Sequence, residues 1–432
     1  MRRCGRALFA LLVAAGLGLA ACGGGSGFGI GGAGGFMEGA GAAGSPGAGD
    51  AGTGGTGVAG IGSGGTGISG DGGVGSGGTG AVAGGGIGAV DGFGSIIVNG
   101  TRFDTDHAQL QLDDSATLRL GMTVRVTGTL SADLAEGTAA LVRSAADLRG
   151  TVASVDAVAG TFTLLSQAVA TDASTVLAGG LGSIADLRAG DAVQVHGLPG
   201  TDAQLRATRV ERLGPGATPV LSGTVRQLDA AGQTFRIGGA RVSYAGAALT
   251  GAWPPSGLAE GQLVRVRGTS AGDPLVASSI EPWHAVALAD GSRFSLGGLV
   301  TQADGLAQLR VDGLAVDASQ AQVSGGPARD VVAGARVEVA GTLRDGVLLA
   351  SRLRLRHGPG ATPESNFSAS GPIGAARSPA DFRIQGQAID ASGPGVVFVN
   401  GSAADIANGR RTRVTGSRVV DDVLVAERVE FL

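Results

Sequence analysis

Gly121-Met-Thr-Val-Arg-Val-Thr-Gly128, Gly190-Asp-Ala-Val-Gln-Val-His-Gly197, Gly261-Gln-Leu-Val-Arg-Val-Arg-Gly268, Gly334-Ala-Arg-Val-Glu-Val-Ala-Gly341 and Gly409-Arg-Arg-Thr-Arg-Val-Thr-Gly416 are five copies of one pattern. Glycine stands at both ends. Val126, Val195, Val266, Val339 and Val414 hold one inner position, and Val124, Val193, Val264, Val337 and Thr412 hold the position two residues earlier. Alternating β-branched residues bounded by glycine mark a half-buried strand. The first glycines lie 69, 71, 73 and 75 residues apart, so the chain is a tandem array of units of that size.

Each copy carries the same flanking elements. Before the glycine strand comes an apolar-x-apolar run, a turn and a returning apolar residue: Ile96-Ile-Val98-Asn-Gly100-Thr-Arg-Phe103-Asp104, Phe235-Arg-Ile237-Gly-Gly239-Ala-Arg-Val242, Leu309-Arg-Val311-Asp-Gly313-Leu-Ala-Val316-Asp317 and Phe382-Arg-Ile384-Gln-Gly386-Gln-Ala-Ile389-Asp390. The looser copy in repeat 2 is Phe162-Thr-Leu164-Leu-Ser166-Gln-Ala-Val169. These read as β-hairpins, with Asn-Gly and Asp-Gly as the strongest turn signals. A closing strand follows at Leu205, Leu275, Leu348 and Leu424, and opening strands sit near Val152, Val225, Val300 and Ile373. Five short strands per unit, with a brief turn such as Ile184 to Gly190 between the third and fourth, predict small closed barrels, since closure removes aggregation-prone edges.

These segments resemble the OB-like domains found in tandem in bacterial lipoproteins and known as domain of unknown function 5666. The resemblance covers residues 87–432 and implies an all-β fold of five tandem OB-like β-barrels; it implies no activity. The expected repeats are 87–147, 148–213, 221–283, 294–356 and 367–432. Gly214-Pro-Gly-Ala-Thr-Pro219 recurs as Gly358-Pro-Gly-Ala-Thr-Pro363, 144 residues later. That spacing reads as duplication of a two-repeat unit with Gly/Pro hinges between units. Repeats 1 and 2 meet at Asp147-Leu148 with no linker, which predicts that they pack together.

Upstream, residues 23–86 hold 33 glycines in 64 positions, with Glu38, Asp50 and Asp71 as the only charges. So little apolar bulk cannot offset the entropy of ordering, and 22–86 is read as a disordered, Gly-rich tether. A phosphate-cradling loop would need a strand before the glycines and a helix after them. Residues 1–21 combine Arg2, Arg3 and Arg6 with an apolar run too short to span a bilayer, the layout of a secretory signal. Leu19-Ala20-Ala21-Cys22 is similar to bacterial lipoprotein signals, which implies lipid attachment at Cys22. Gly23 in place of Asp implies, by the same resemblance, a lipid-anchored outer-membrane destination. With Cys4 removed and Cys22 acylated, no disulfide remains possible.

The chain has 432 residues and a formal net charge of −4, and all 32 of its Lys+Arg residues are Arg. A mildly acidic chain is poorly suited to gripping nucleic acid. What recurs across the copies is glycine and aliphatic residues, the parts of a scaffold rather than of an active site. His107, His196, His284 and His357 fall at unrelated places, and the varied residues aligned with His196 predict an exposed, tolerant position. Asp104-Thr-Asp106-His107 contains possible metal ligands. Asp104 nevertheless matches Asp317 and Asp390, which lack a nearby His and sit where Asp favours local hydrogen bonds. Neither a metal nor a cofactor is expected.

One set of residues suggests recognition. Arg236, Arg310 and Arg383 recur on the second strand, and Arg265 and Arg413 are expected to face outward on the fourth strand of repeats 3 and 5. Together Arg236, Arg265, Arg383 and Arg413 would form guanidinium patches suited to phosphate or carboxylate. Glu338 takes the fourth-strand place in repeat 4. The expectation is a non-enzymatic, lipid-anchored envelope protein serving as a binding or structural array, with an envelope protein or glycan as partner and no nucleic acid. The alternative is recognition of an anionic glycan or lipid headgroup through the Arg patches.

Overall fold

The computed structural model describes residues 81–200, 204–270, 272–283, 289–358 and 366–432. The signal segment, Cys22, the tether up to residue 80, and His284 lie outside the described residues.

Repeat 2 shows the plan. Its opening strand Leu148–Asp156 pairs antiparallel with Thr161–Leu164, which pairs with Gln167–Ala170. That third strand runs parallel to the last strand, Leu205–Arg212, and a short extension, Val176–Ala178, continues the parallel pairing. The last strand pairs with Ala192–Pro199, which returns to the opening strand. The ring of hydrogen-bonded neighbours is therefore closed. The same circuit recurs with opening strands Val82–Phe93, Val220–Thr224 continued by Arg226–Asp229, Arg293–Ala303 and Phe367–Ser378. Between extension and fourth strand, repeats 2, 4 and 5 carry a short 3-10 turn, capped in repeats 2 and 5 by the pairs Ser183/Asp186 and Ser402/Asp405. The described residues form an all-β fold of five tandem repeats.

Both glycines of the defining pattern have a geometric cause. Gly121, Gly190, Gly261, Gly334 and Gly409 all have φ between +79° and +98°, where a side chain is strained. Gly128, Gly197, Gly268 and Gly341 lie against the last strand at an irregularity of the pairing, and Gly416 lies just past the end of its ladder. A Cβ on Gly128, Gly341 or Gly416 would overlap the backbone oxygen of Thr138, Leu349 or Val425. The pattern marks where one strand enters the ring and where it presses closest on its neighbour. The valines between point inward: Val126, Val195, Val266, Val339 and Val414 are fully buried, beside Phe162, Phe235 and Phe382 of the second strands.

Two sequence expectations fail here. Repeat 1 begins before residue 87, because Gly84, Gly85 and Gly86 belong to a strand inserted between Thr127 of repeat 1 and Ser295 of repeat 4. A Cβ on Gly84 or Gly85 would strike a neighbouring carbonyl, so glycine serves close approach there rather than flexibility. Nor does the segment 214–219 hold repeats 2 and 3 apart. Val220 and Leu221 pair antiparallel with Arg149 and Leu148, and one apolar core runs through both repeats. Repeats 1 and 5 likewise share a core and a parallel pairing, Gly92 with Ser368.

Candidate functional site

On the fourth strand, the outward position between the two inward residues is polar in every repeat: Arg125, Gln194, Arg265, Glu338 and Arg413. Four of these are buried, because another repeat covers that face. Arg265, expected to face solvent, is fully buried and bonded to Asp113 at 3.1 Å, Asp114 at 3.1 Å and Glu281 at 2.9 Å. Asp113 and Asp114 belong to repeat 1, so this guanidinium joins two repeats and is not available to a ligand. Burial pushes Asp114 up, but the N–H of Ala146 and the guanidinium groups of Arg149, Arg265 and Arg267 outweigh it, holding the carboxyl below its usual range.

Trp283 closes the same junction. Arg125 and Arg265 stack on its ring at 3.9 and 4.7 Å from the centroid, and its Nε1 donates to Asp147 Oδ1 at 2.7 Å. Asp147 Oδ2 accepts from Thr123 Oγ1 and from the N–H of Gly197, both at 2.9 Å. His196, expected to be exposed, is buried in this cluster, and its Nδ1 accepts from the Thr123 N–H at 3.3 Å. Burial pushes its pKa down to about 4, with Asp147 opposing, so the ring is neutral. Thr123, Asp147 and His196 resemble a catalytic trio only in composition, since the gap beside His196 is too small to hold a water molecule.

The second-strand arginines have a local employment. Arg236, Arg310 and Arg383 each donate through a terminal nitrogen to the carbonyl of the residue three places on: Gly239 at 3.1 Å, Gly313 at 3.1 Å and Gly386 at 2.8 Å. The recurrence that sequence reading ties to a ligand is, in each case, a clasp across the hairpin. Arg413 is exposed, but it does not join Arg383. Their partners on the opening strand are Ser370 and Gly374, about 13 Å apart along the chain at 3.3 Å per residue. The repeat 5 patch is therefore not assembled.

Asp104, Asp317 and Asp390 each accept the N–H of the residue two places on, at 2.9 Å. Among the described residues no group of three metal-ligating side chains comes together.

What the sequence left unseen is a cleft where repeats 2, 3 and 4 meet, with a volume of about 870 Å³. Repeat 2 contributes Gln167 and Gln204, repeat 3 contributes Ser222 and Arg226, and repeat 4 contributes Arg310 and Asp312. No periodicity points to it, because its walls come from residues far apart in the chain. Arg226 was legible only by aligning opening strands through their bulge.

None of the curated proteins matches the chain. The model of one family, Domain of unknown function (DUF5666), matches it five times in succession, at residues 84–135, 149–211, 222–281, 297–354 and 370–430, and the chain belongs to that family.

Proposed function

We propose that the chain is a non-enzymatic, lipid-anchored protein of the cell envelope, in which five OB-like barrels form one binding and structural body. The OB-like reading is supported by the ring order first-second-third-fifth-fourth-first, with the third and fifth strands parallel and a short helical turn before the fourth. The observation that carries the functional reading is how titratable groups are spent. Buried Arg209 bonds Asp422 of repeat 5 at 2.6 Å and Glu211 at 3.0 Å; Arg356 sits beside Asp91 of repeat 1 and Glu338; Arg265 holds three carboxylates. These ionic clusters join repeats, while the open cleft offers hydrogen-bonding groups, two guanidiniums and one carboxylate, Asp312. Such a surface suits holding a ligand or partner more than turning it over.

The anchor reading rests on residues 1–22, with Cys22 acylated and the outer membrane as destination. Growth with labelled palmitate tests it: wild type takes label and sediments with membranes, whereas Cys22→Ser loses label and becomes soluble. Labelled Cys22→Ser, or unlabelled wild type, would refute the anchor. Recognition of an anionic glycan or lipid headgroup is favoured by one feature of repeat 3, and nucleic acid is not among the proposed partners.

A further inference from the structure

The opening strand and hairpin place three residues side by side in every repeat, so their occupants can be compared directly. The cross-strand row is Gly92, Ile97 and Arg102 in repeat 1, and Ser154, Thr163 and Ala168 in repeat 2. It is Gln302, Arg310 and Ala315 in repeat 4, and Gly374, Arg383 and Ala388 in repeat 5. In repeat 3 it is Arg226, Arg236 and Arg241. Directly opposed residues on neighbouring strands have Cβ atoms about 5 Å apart, and like charges there are destabilising. Four repeats fold without such a row, so the fold does not require it.

All three arginines are exposed, and among the described residues none of them has a carboxylate within ion-pair distance. Arg236 gives one donor to Gly239, and a guanidinium has five. Arg226 also lines the cleft between repeats 2, 3 and 4, so the row extends the cleft wall onto open surface. Three strands span about 10 Å. The cleft adds Gln167, Gln204, Ser222, Thr301, the Arg310 guanidinium and one carboxylate, Asp312, and no aromatic side chain on which a base would stack.

We propose that this cleft and the Arg226–Arg236–Arg241 row bind an acidic saccharide, its hydroxyls in the cleft and its carboxylates or phosphates on the guanidiniums. The inference deepens the binding reading above and is independent of the lipid anchor. The same chemistry comes from a free polysaccharide or from the sugar headgroup of a glycolipid.

The test is calorimetric titration of the full mature chain in detergent with oligogalacturonate, with neutral maltohexaose, and with phosphatidylcholine vesicles containing or lacking a phosphorylated glycolipid. Oligogalacturonate or the glycolipid vesicles should bind, and Arg226→Gln/Arg241→Gln should weaken that binding at least tenfold. Arg383→Gln/Arg413→Gln should leave it unchanged. The repeat 3 substitutions are on exposed side chains and relieve like-charge repulsion, so a thermal midpoint that does not fall would show that lost binding is not lost folding. Binding of the oligosaccharide points to a free chain, and binding of the vesicles alone points to a headgroup. Equal binding of maltohexaose would overturn the acidic assignment while leaving the binding reading in place. Undiminished affinity in the repeat 3 variant, or no binding of any probe, would overturn the site.

Discussion

Arg265 and Arg413 occupy the same place in the repeating pattern, yet their replacement by Met should differ severalfold in cost. Arg265 is fully buried among three carboxylates, and removing one partner of a buried ion pair typically costs about 3–5 kcal/mol. Part of that cost is relieved here. Asp114 keeps Arg149 and Arg267, Asp113 keeps Arg267 at 3.2 Å, and Glu281 keeps Arg143 at 3.6 Å. This places the ionic loss near the lower bound, about 3 kcal/mol. Losing one of the two cations on Trp283 adds about 0.5–1 kcal/mol. Met retains most of the aliphatic stem, so cavity formation contributes little. Arg413 is exposed and, among the described residues, has no carboxylate within ion-pair distance, so its replacement should stay within about 0.5 kcal/mol. Urea unfolding followed by tryptophan emission reads both, because Trp283 reports on the Arg265 junction directly. A loss below about 1 kcal/mol for Arg265→Met, or equal losses for the two variants, would refute the account of the junction.

Three further outcomes are expected. His196 stays neutral to about pH 4 in the folded chain, whereas the unfolded chain takes up that proton near 6.5. The unfolded state therefore binds more protons between those values, and stability falls as pH drops through the window, by up to about 3 kcal/mol. Burial raises Asp91 to about 6, despite Arg356 nearby, so its contribution is complete below 3.8 and is lost as pH rises through 6, opposing His196. The difference between wild type and His196→Gln, measured by denaturant midpoints from pH 4 to 7, isolates the histidine; a flat difference would contradict the burial argument. Gly341→Ala forces a Cβ onto the Leu349 carbonyl and should cost about 3 kcal/mol, while Gly374→Ala, with nothing within 4 Å of the added carbon, should cost under about 1 kcal/mol in the same melts. Arg383→Met removes one exposed hydrogen bond across its hairpin and should lose about 0.5 kcal/mol; a loss above 2 kcal/mol would show a role beyond the clasp.

The five-fold repeat and the strands were legible because they follow from local rules. A glycine at positive φ, alternating valines and an Asn-Gly or Asp-Gly turn each state a conformation within a few residues. The same logic misread Gly84 to Gly86, whose glycines answer to a strand brought in from repeat 4, more than 200 residues away. It also misplaced His196 and Arg265. Variation at an aligned position suggests tolerance when the five copies have equivalent surroundings, and here they do not. His196 faces Thr123 and Asp147, and Arg265 faces Asp113 and Asp114.

That inequivalence also locates function. Within a repeat, inward positions must serve the ring and are alike in all five. Outward positions divide into those that meet another repeat and those that meet solvent. Where they meet another repeat, the odd residue has its answer on the page: Arg265 answers the Asp113–Asp114 pair, and Arg209 answers Asp422. Arg310 and Arg383 recur because the hairpin uses them. In the Arg226–Arg236–Arg241 row, Arg236 shares the hairpin clasp through one of its donors, and Arg226 and Arg241 have neither explanation. The row is specific to one repeat, it gathers like charge at a cost, and it borders the cleft that three repeats build together. Three cations held in one cross-strand row beside a cleft, where the other repeats place at most one, are the ones whose partner lies outside the chain.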